Sequence, residues 1–204
     1  MADPMPDRPV VVLGLMGAGK TTVAGRLARR WGRELRDSDA DLLAMTGSTA
    51  RELARGHGRE GLHALEAQQL LGALADLPPP VVAAAASVVE DASCRAHLGA
   101  HAVVVWLDAI PADLVARQGV DSHRPVYGPD LLQMLTEMDG VRRPRFEALA
   151  DVVVLARAID PHASEDQREQ SIVAAVDEVE SRLTALARTW TTAAVPPRGS
   201  GRSS

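Results

Sequence analysis

Apolar residues in this chain fall into short continuous runs separated by stretches of helical periodicity. Pro9-Val10-Val11-Val12-Leu13 is too short for a helix and stops at Gly14. Residues 80–86, 101–107 (HAVVVWL) and 150–156 (ADVVVLA) are runs of the same kind, and Glu34-Leu35-Arg36 leads into Asp37-Ser38-Asp39 as a strand that ends on acidic residues. Over 21–31, Val23, Leu27, Ala28 and Trp31 share one helical face and Arg26, Arg29 and Arg30 the other, with Gly32 as the stop. Helices are also predicted around 40–45, 49–55 and 60–77, and from Pro111 to about Gln118. A closing helix over 165–188 carries Ile172, Val176, Val179, Leu183 and Leu186 at spacings of three and four. Residues 191–204 have no periodicity and read as a disordered tail.

Strands apolar on both faces, alternating with helices, predict the α/β class: a three-layer α/β/α domain around a five-stranded parallel sheet. The expected organisation is a flexible N-terminus over 1–8, one domain over 9–190, and the tail. No internal repeat interrupts it.

Composition narrows what this domain can do. The 204 residues carry a net charge of −5, and hydrophobic residues make up 46%, which excludes disorder of the whole chain. Five aromatic residues leave an aliphatic core and no stacking platform for single-stranded nucleic acid, and the acidity argues against a duplex-binding face. Cys94 is the sole cysteine, so no intramolecular disulfide forms, and no apolar stretch approaches the ~18 residues of a membrane span. A cytoplasmic monomer acting on a small molecule, without nucleic acid or membrane as partner, is expected. Of the 22 basic residues only Lys20 is a lysine, and Asn is absent, the bias of a GC-rich coding sequence. Single arginines are therefore weak signals, and the single lysine a stronger one.

That lysine lies in Gly14-Leu15-Met16-Gly17-Ala18-Gly19-Lys20-Thr21, which matches the G-x-x-x-x-G-K-[ST] phosphate loop between a predicted strand and a predicted helix. The glycines let backbone N–H groups approach phosphate oxygens, and the helix start adds its positive dipole end. Lys20 would reach the β/γ-phosphates and Thr21 would offer a hydroxyl to Mg²⁺. Gly17, Ala18, Gly19, Lys20, Thr21 and Thr22 are thus the expected nucleotide contacts, with ATP and Mg²⁺ as cofactors.

From this loop onward, over roughly residues 9 to 161, the chain resembles the shikimate kinases, small phosphate-loop kinases that transfer the γ-phosphoryl of ATP to a hydroxyl of shikimate. The resemblance makes Asp37 the Mg²⁺-side aspartate and Asp39 the partner of the acceptor hydroxyl; the same residues also suit helix capping. It makes 40–77, approximately, a substrate-binding helical insertion that begins near Thr46-Gly47-Ser48, with Ser48 as a cap. About 117–128 becomes a lid in which Arg124, of His123-Arg124-Pro125, closes on the phosphates and Arg117 lies near adenine, although each arginine also fits a solvated helix end. Arg142, of Arg142-Arg143-Pro144-Arg145-Phe146, corresponds to an arginine that holds the substrate carboxylate, with Phe146 where tyrosine is usual. A basic surface turn is the other reading of that cluster.

Two departures fall on the acceptor side. The family's Arg-x-x-Glu stands here as His63-Ala64-Leu65-Glu66, so an imidazole mostly neutral at pH 7 replaces a permanent guanidinium. Its Gly-Gly-Gly turn is replaced by alanines over 83–86, Ala85 among them, whose Cβ atoms disfavour positive φ and close backbone approach. Every phosphate-handling residue survives. The expected function is therefore an ATP-dependent kinase for shikimate or a related hydroxylated cyclic acid, with Lys20, Asp39 and Arg124 as catalytic residues and Asp39, His63, Ala85 and Arg142 at the acceptor. A kinase of the same fold for an uncharged sugar or cyclitol, and a regulatory ATP-binding protein without turnover, are the alternatives. Trp31, Trp106, Cys94, His57, His97 and His101 read as structural, the histidines as lying apart from any partner.

Overall fold

The apolar runs become strands. A computed structural model describes residues 3–5, 7–117, 130–156 and 163–192 of the chain. In it β1 spans Val10–Leu13, β2 Leu35–Asp37, β3 Val81–Ala83, β4 Val103–Asp108 and β5 Val152–Leu155. All neighbours pair in parallel, in the order β2-β3-β1-β4-β5, with Val11 opposite Val82 on one side and Val104 on the other. Central β1 is fully buried, as a parallel strand covered on both faces must be. Edge strand β2 is partly exposed and carries the charged Arg36 and Asp37.

Helix α1, Lys20–Trp31, packs on β1, β2 and β3 and meets α7, Glu165–Thr192, which covers β5. Val23, Leu27 and Ala28 are buried as their spacing requires, and Gly32 ends α1 in the left-handed region at φ 68°. Arg30 pairs with Asp177 and Glu180 of α7 at 2.5 and 3.1 Å, and the Trp31 indole donates to Glu180 at 3.0 Å. Helix α7 extends beyond its predicted end at 188; residues 193–204, the rest of the expected tail, lie outside the described residues.

A second group of helices comprises α3, Ala50–Leu74, α4, Ala92–His101, and α6, Leu131–Leu149, of which α4 and α6 contact β4. The periodicity reading assigned no helix at α4 or α6, and both start on an aspartate cap: Asp91 accepts from the Cys94 N–H and Asp130 from the Gln133 N–H. Helix α4 also corrects the isolation expected of its histidines, since His97 and His101 lie one turn apart with ring centroids at 5.9 Å. Helix α5 occupies Pro111–Arg117, as predicted.

Three boundaries differ from expectation. Helix α2, Ser38–Thr46, begins directly after Asp37, so Asp39 sits in a helical first turn and not at a strand end. The two helices predicted over 49–77 are both present, meeting at a kink at Gly58 (φ 71°, ψ 179°) within α3, but the second finishes at Leu74 and not at 77. Its cap is Thr49, not Ser48: the Glu52 N–H donates to the Thr49 hydroxyl at 3.3 Å, and the Thr49 N–H to the Glu52 carboxylate at 2.8 Å. The apolar run at 80–86 leaves the sheet at Ala83 and coils into a short 3₁₀ helix, Ala86–Glu90.

Helices α2 and α3 share a small core of Leu42, Ala50, Leu53 and Leu62, separate from the main core around the sheet. Within the N-terminal stretch, Met5 is buried, and Arg33 donates to the carbonyls of Met5, Arg8 and Pro79 at 2.6 to 3.1 Å while pairing with Asp3 at 3.2 Å. Among the described residues no helix is long and apolar enough to cross a membrane.

Candidate active site

The ends of β1, β2 and β3 converge on one cavity of about 230 Å³, as expected where parallel strands deliver their C-terminal loops. At the end of β1, Gly14 takes φ 148°, and a Cβ there would stand 2.7 Å from the Leu107 carbonyl of β4, so only glycine fits. The chain then turns through Gly17 and Gly19, both at positive φ, into α1. Gly19 caps α1 without a side-chain hydrogen bond, and no acidic residue occupies the first turn. The first amides of the helix are thereby left for an anion. Lys20 Nζ donates back to the Leu15 carbonyl at 3.0 Å, across the loop it belongs to.

From β2, Asp37 caps α2 and also reaches Thr21. Its Oδ1 caps α2 by accepting from the N–H groups of Asp39 and Ala40 at 3.1 and 3.2 Å, while Oδ2 accepts from the Thr21 hydroxyl at 2.7 Å. Thr21 and Asp37 are hard oxygen donors, the type Mg²⁺ takes alongside phosphate oxygens and water. No group of three or more His, Cys, Asp or Glu side chains able to hold a metal by themselves occurs among the described residues. The loop amides, Lys20, Thr21 and Asp37 therefore fit a magnesium–nucleotide complex.

Asp39, one helical turn position on, lines the same cavity, as do His63 and Glu66 from α3, Ala83, Ala84, Ala85 and Ala86, Ser87, and Met138 and Arg142 from α6. The alanines create no backbone strain: no residue other than glycine has positive φ among the described residues, and Ala85 sits at φ −60°, ψ 144°. The conformational objection to alanine is thus removed, and the Cβ atoms remain as apolar lining. Glu66 is 8% exposed and accepts a hydrogen bond from the Ser87 hydroxyl. Burial pushes its carboxyl up to about 7, with the charge of Asp39 adding to the rise and the Ser87 bond, Arg142 and Lys20 opposing it. His63 moves the other way. Burial lowers its pKa, Arg142 and Arg59 reinforce the drop and Glu90 resists it, so the imidazole is neutral at pH 7.

Arg142 is buried, with Nε donating to Glu90 Oε1 at 2.7 Å and Nη1 3.6 Å from the Met138 sulfur. Its neighbours separate from it: Arg143 clamps Asp108 and Asp139 at 2.7 and 2.9 Å against the Trp106 face, and Arg145 bonds the Val141 carbonyl of its own helix. The cluster is a helix and not a surface turn. Phe146 is fully buried on Trp106, ring centroids 5.8 Å apart, where a hydroxyl would need a partner. Cys94, buried, has its thiol pushed up to about 12 and is inert. Arg117 ends α5, while Arg124 and the rest of the predicted lid to 128 lie outside the described residues.

Sequence reasoning did not single out Ser38, Ser87, Met138 or Glu90. Ser38 lines the cavity with a buried hydroxyl that has no hydrogen-bond partner, and its place between the two aspartates was the available signal. For Glu90 there was no local signal, because its partner lies 52 positions away.

A family model described as shikimate kinase matches residues 16–177. Shikimate kinase from Frankia casuarinae is 38% identical over 152 residues, covering 74% of this chain and 67% of that one; the enzyme from Thermobifida fusca is 34% identical over 174 residues, 85% of this chain and 100% of that one. Among solved structures, shikimate kinase from Acinetobacter baumannii in complex with shikimate aligns at a TM-score of 0.70 and 26% identity, over 83% of this chain and 92% of that one. A gluconokinase from Sinorhizobium meliloti shares the fold at a TM-score of 0.61 and 21% identity, over 92% and 97%. A family model spanning most of the chain and a relative matched along its whole length agree with the phosphate loop and the paired aspartates: the chain belongs to the shikimate kinase family.

Proposed function

We propose that this ATP-dependent kinase phosphorylates a hydroxyl of shikimate or a close hydroxylated cyclic acid, using the residues gathered around this cavity. The observation that carries the reading is the juxtaposition of Lys20 and Thr21 with Asp39 and of both with Arg142 as lining of that one space. Bound MgATP supplies the phosphoryl group and a cation that offsets its charge. The amides of Gly17, Ala18 and Gly19, with Thr22, cradle the phosphates, and Lys20 leaves the Leu15 carbonyl to hold their β/γ oxygens. Thr21 and Asp37 would hold the Mg²⁺ ion. Asp39 orients the acceptor hydroxyl and takes its proton as it attacks. Arg142 holds the acid group, His63 adds a hydrogen bond to it, and the Ala85 Cβ packs against the ring. Arg124 and Arg117 are assigned by the family resemblance to the closing lid, where exclusion of water keeps ATP from being hydrolysed.

An ADP-release assay with shikimate and with an uncharged polyol tests this directly. Shikimate-dependent release is expected; release with the polyol alone overturns the acceptor assignment, and ATP binding without any acceptor-dependent release overturns the kinase.

The acid-binding end yields a more specific expectation. His63→Arg places a permanent guanidinium where a neutral imidazole stands, and the KM for shikimate should fall by about tenfold, the worth of one charge-assisted hydrogen bond. Because binding an anion favours protonated His63, the wild-type KM should also fall as pH drops from about 8 to about 6, and less so in the variant, where only Glu66 still titrates. Steady-state kinetics across that range check both; an unchanged or higher KM in His63→Arg means that the pocket is built for a different group.

A further inference from the structure

Lys20 and Arg142 are the only lysine or arginine side chains lining the cavity among the described residues, and Lys20 belongs to the phosphate loop. Among the described residues, the permanent positive charge for an acidic acceptor therefore rests on Arg142. That charge already has a carboxylate. Glu90, the last residue of the 3₁₀ helix, accepts from Arg142 Nε at 2.7 Å; Arg142 lines the cavity with its side chain 8% exposed, and Glu90 stands behind it, outside the lining, with its side chain 34% exposed. His63 stands beside them and contributes no charge at neutral pH.

Two effects of Glu90 compete. It orients the guanidinium, and it neutralises it toward an incoming anion. Orientation adds little here, because Arg142 is buried within α6 with Nη1 against Met138 and is already confined. Neutralisation is the larger effect, because a carboxylate 2.7 Å from the guanidinium offsets its attraction for the acceptor carboxylate, screened in part by the solvent that reaches Glu90.

Building on the proposed function, we infer that Glu90 is a specificity-determining residue: an internal carboxylate that occupies Arg142 in the empty pocket and with which an acidic acceptor must compete. The family's two-guanidinium acid site is thereby reduced to a guanidinium whose charge is offset from within the chain. The pocket discriminates less between an acid and its neutral counterpart than the arginine alone would make it.

The test is steady-state kinetics of the full chain with shikimate and with its methyl ester, for wild type, Glu90→Gln and Glu90→Asp. Glu90→Gln keeps the shape and a hydrogen bond to Arg142 but removes the charge. Its KM for shikimate should fall by about tenfold, with little change in kcat, in the KM for MgATP or in the KM for the ester. Glu90→Asp retains the charge and should stay near wild type. An unchanged or raised KM for shikimate in Glu90→Gln overturns the inference and makes Glu90 an orienting partner of Arg142, and an equal gain for acid and ester overturns it as a change of shape and not of charge. Turnover of the ester but of shikimate by none of the three proteins overturns the acceptor assignment itself, and the inference with it.

Discussion

Lys20→Met should lower kcat by about a thousandfold or more while the protein still folds, the loss expected when a preorganised positive charge is removed from a transferring phosphoryl group. The Lys20 ammonium reaches back to the Leu15 carbonyl at 3.0 Å, so the cation is already held at the phosphate loop. Fold and loop conformation rest on other things: Gly14 fitted against the Leu107 carbonyl, the Ala18 N–H bonded to the Leu15 carbonyl at 3.2 Å, and the buried face of α1. The thermal midpoint of Lys20→Met should accordingly stay within a few degrees of wild type. Lys20→Arg is the sharper comparison. Everywhere else the chain uses arginine for its basic side chains, so composition alone would have placed one here. A planar guanidinium cannot take the place of a compact ammonium at the loop carbonyl and among phosphate oxygens, and Lys20→Arg should also be severely impaired. Near-normal kcat in either variant, with melting unchanged, would remove Lys20 from the reaction.

What could be read from the sequence divides along local and non-local lines. The phosphate loop was legible because strand, glycine turn and helix start are contiguous and each constrains the next. The apolar strands were legible because a parallel strand covered on both faces needs a continuous apolar run. Helix α6 was not, because Gly140 and Pro144 interrupt it and its buried positions, Leu135, Arg142, Phe146 and Leu149, include an arginine that a periodicity count scores as polar. The alanines after Ala83 read equally as strand or turn, and only the packing of the 3₁₀ helix against α3 and α6 decides between them. The acceptor end is the least local part. Glu66 acquires its raised pKa from burial and from Asp39, and Arg142 acquires its partner from the far side of β4 in the chain. His63 and the alanines announced that this end departs from the family, and Glu90 shows in what direction.

Asp39→Asn should reduce kcat by about a hundredfold to ten-thousandfold, the range of general-base contributions, with the KM for MgATP little changed. Two aspartates separated by one residue invite a single role, but their surroundings differ. Asp37 spends both oxygens, one on the first amides of α2 and one on Thr21. Its replacement should therefore disturb helix capping, metal binding and stability together, with a cap alone worth about 1 kcal/mol. Asp39 has its N–H tied to Asp37 and its side chain lines the cavity together with Lys20, Thr21 and Arg142, the placement that the acceptor hydroxyl requires. Asparagine keeps its size and can still accept a hydrogen bond, but it cannot take a proton. Glu66 is the competing base, since a carboxyl pushed up to about 7 in the same cavity has the pKa a proton acceptor would need. Geometry argues against it: one carboxylate oxygen is taken by the Ser87 hydroxyl and the side chain is 8% exposed, a posture suited to shaping the pocket. Glu66→Gln should accordingly act mainly on the KM for the acceptor, and Asp39→Asn mainly on kcat. The opposite split, a large loss of kcat in Glu66→Gln and a small one in Asp39→Asn, would transfer the proton-accepting role to Glu66.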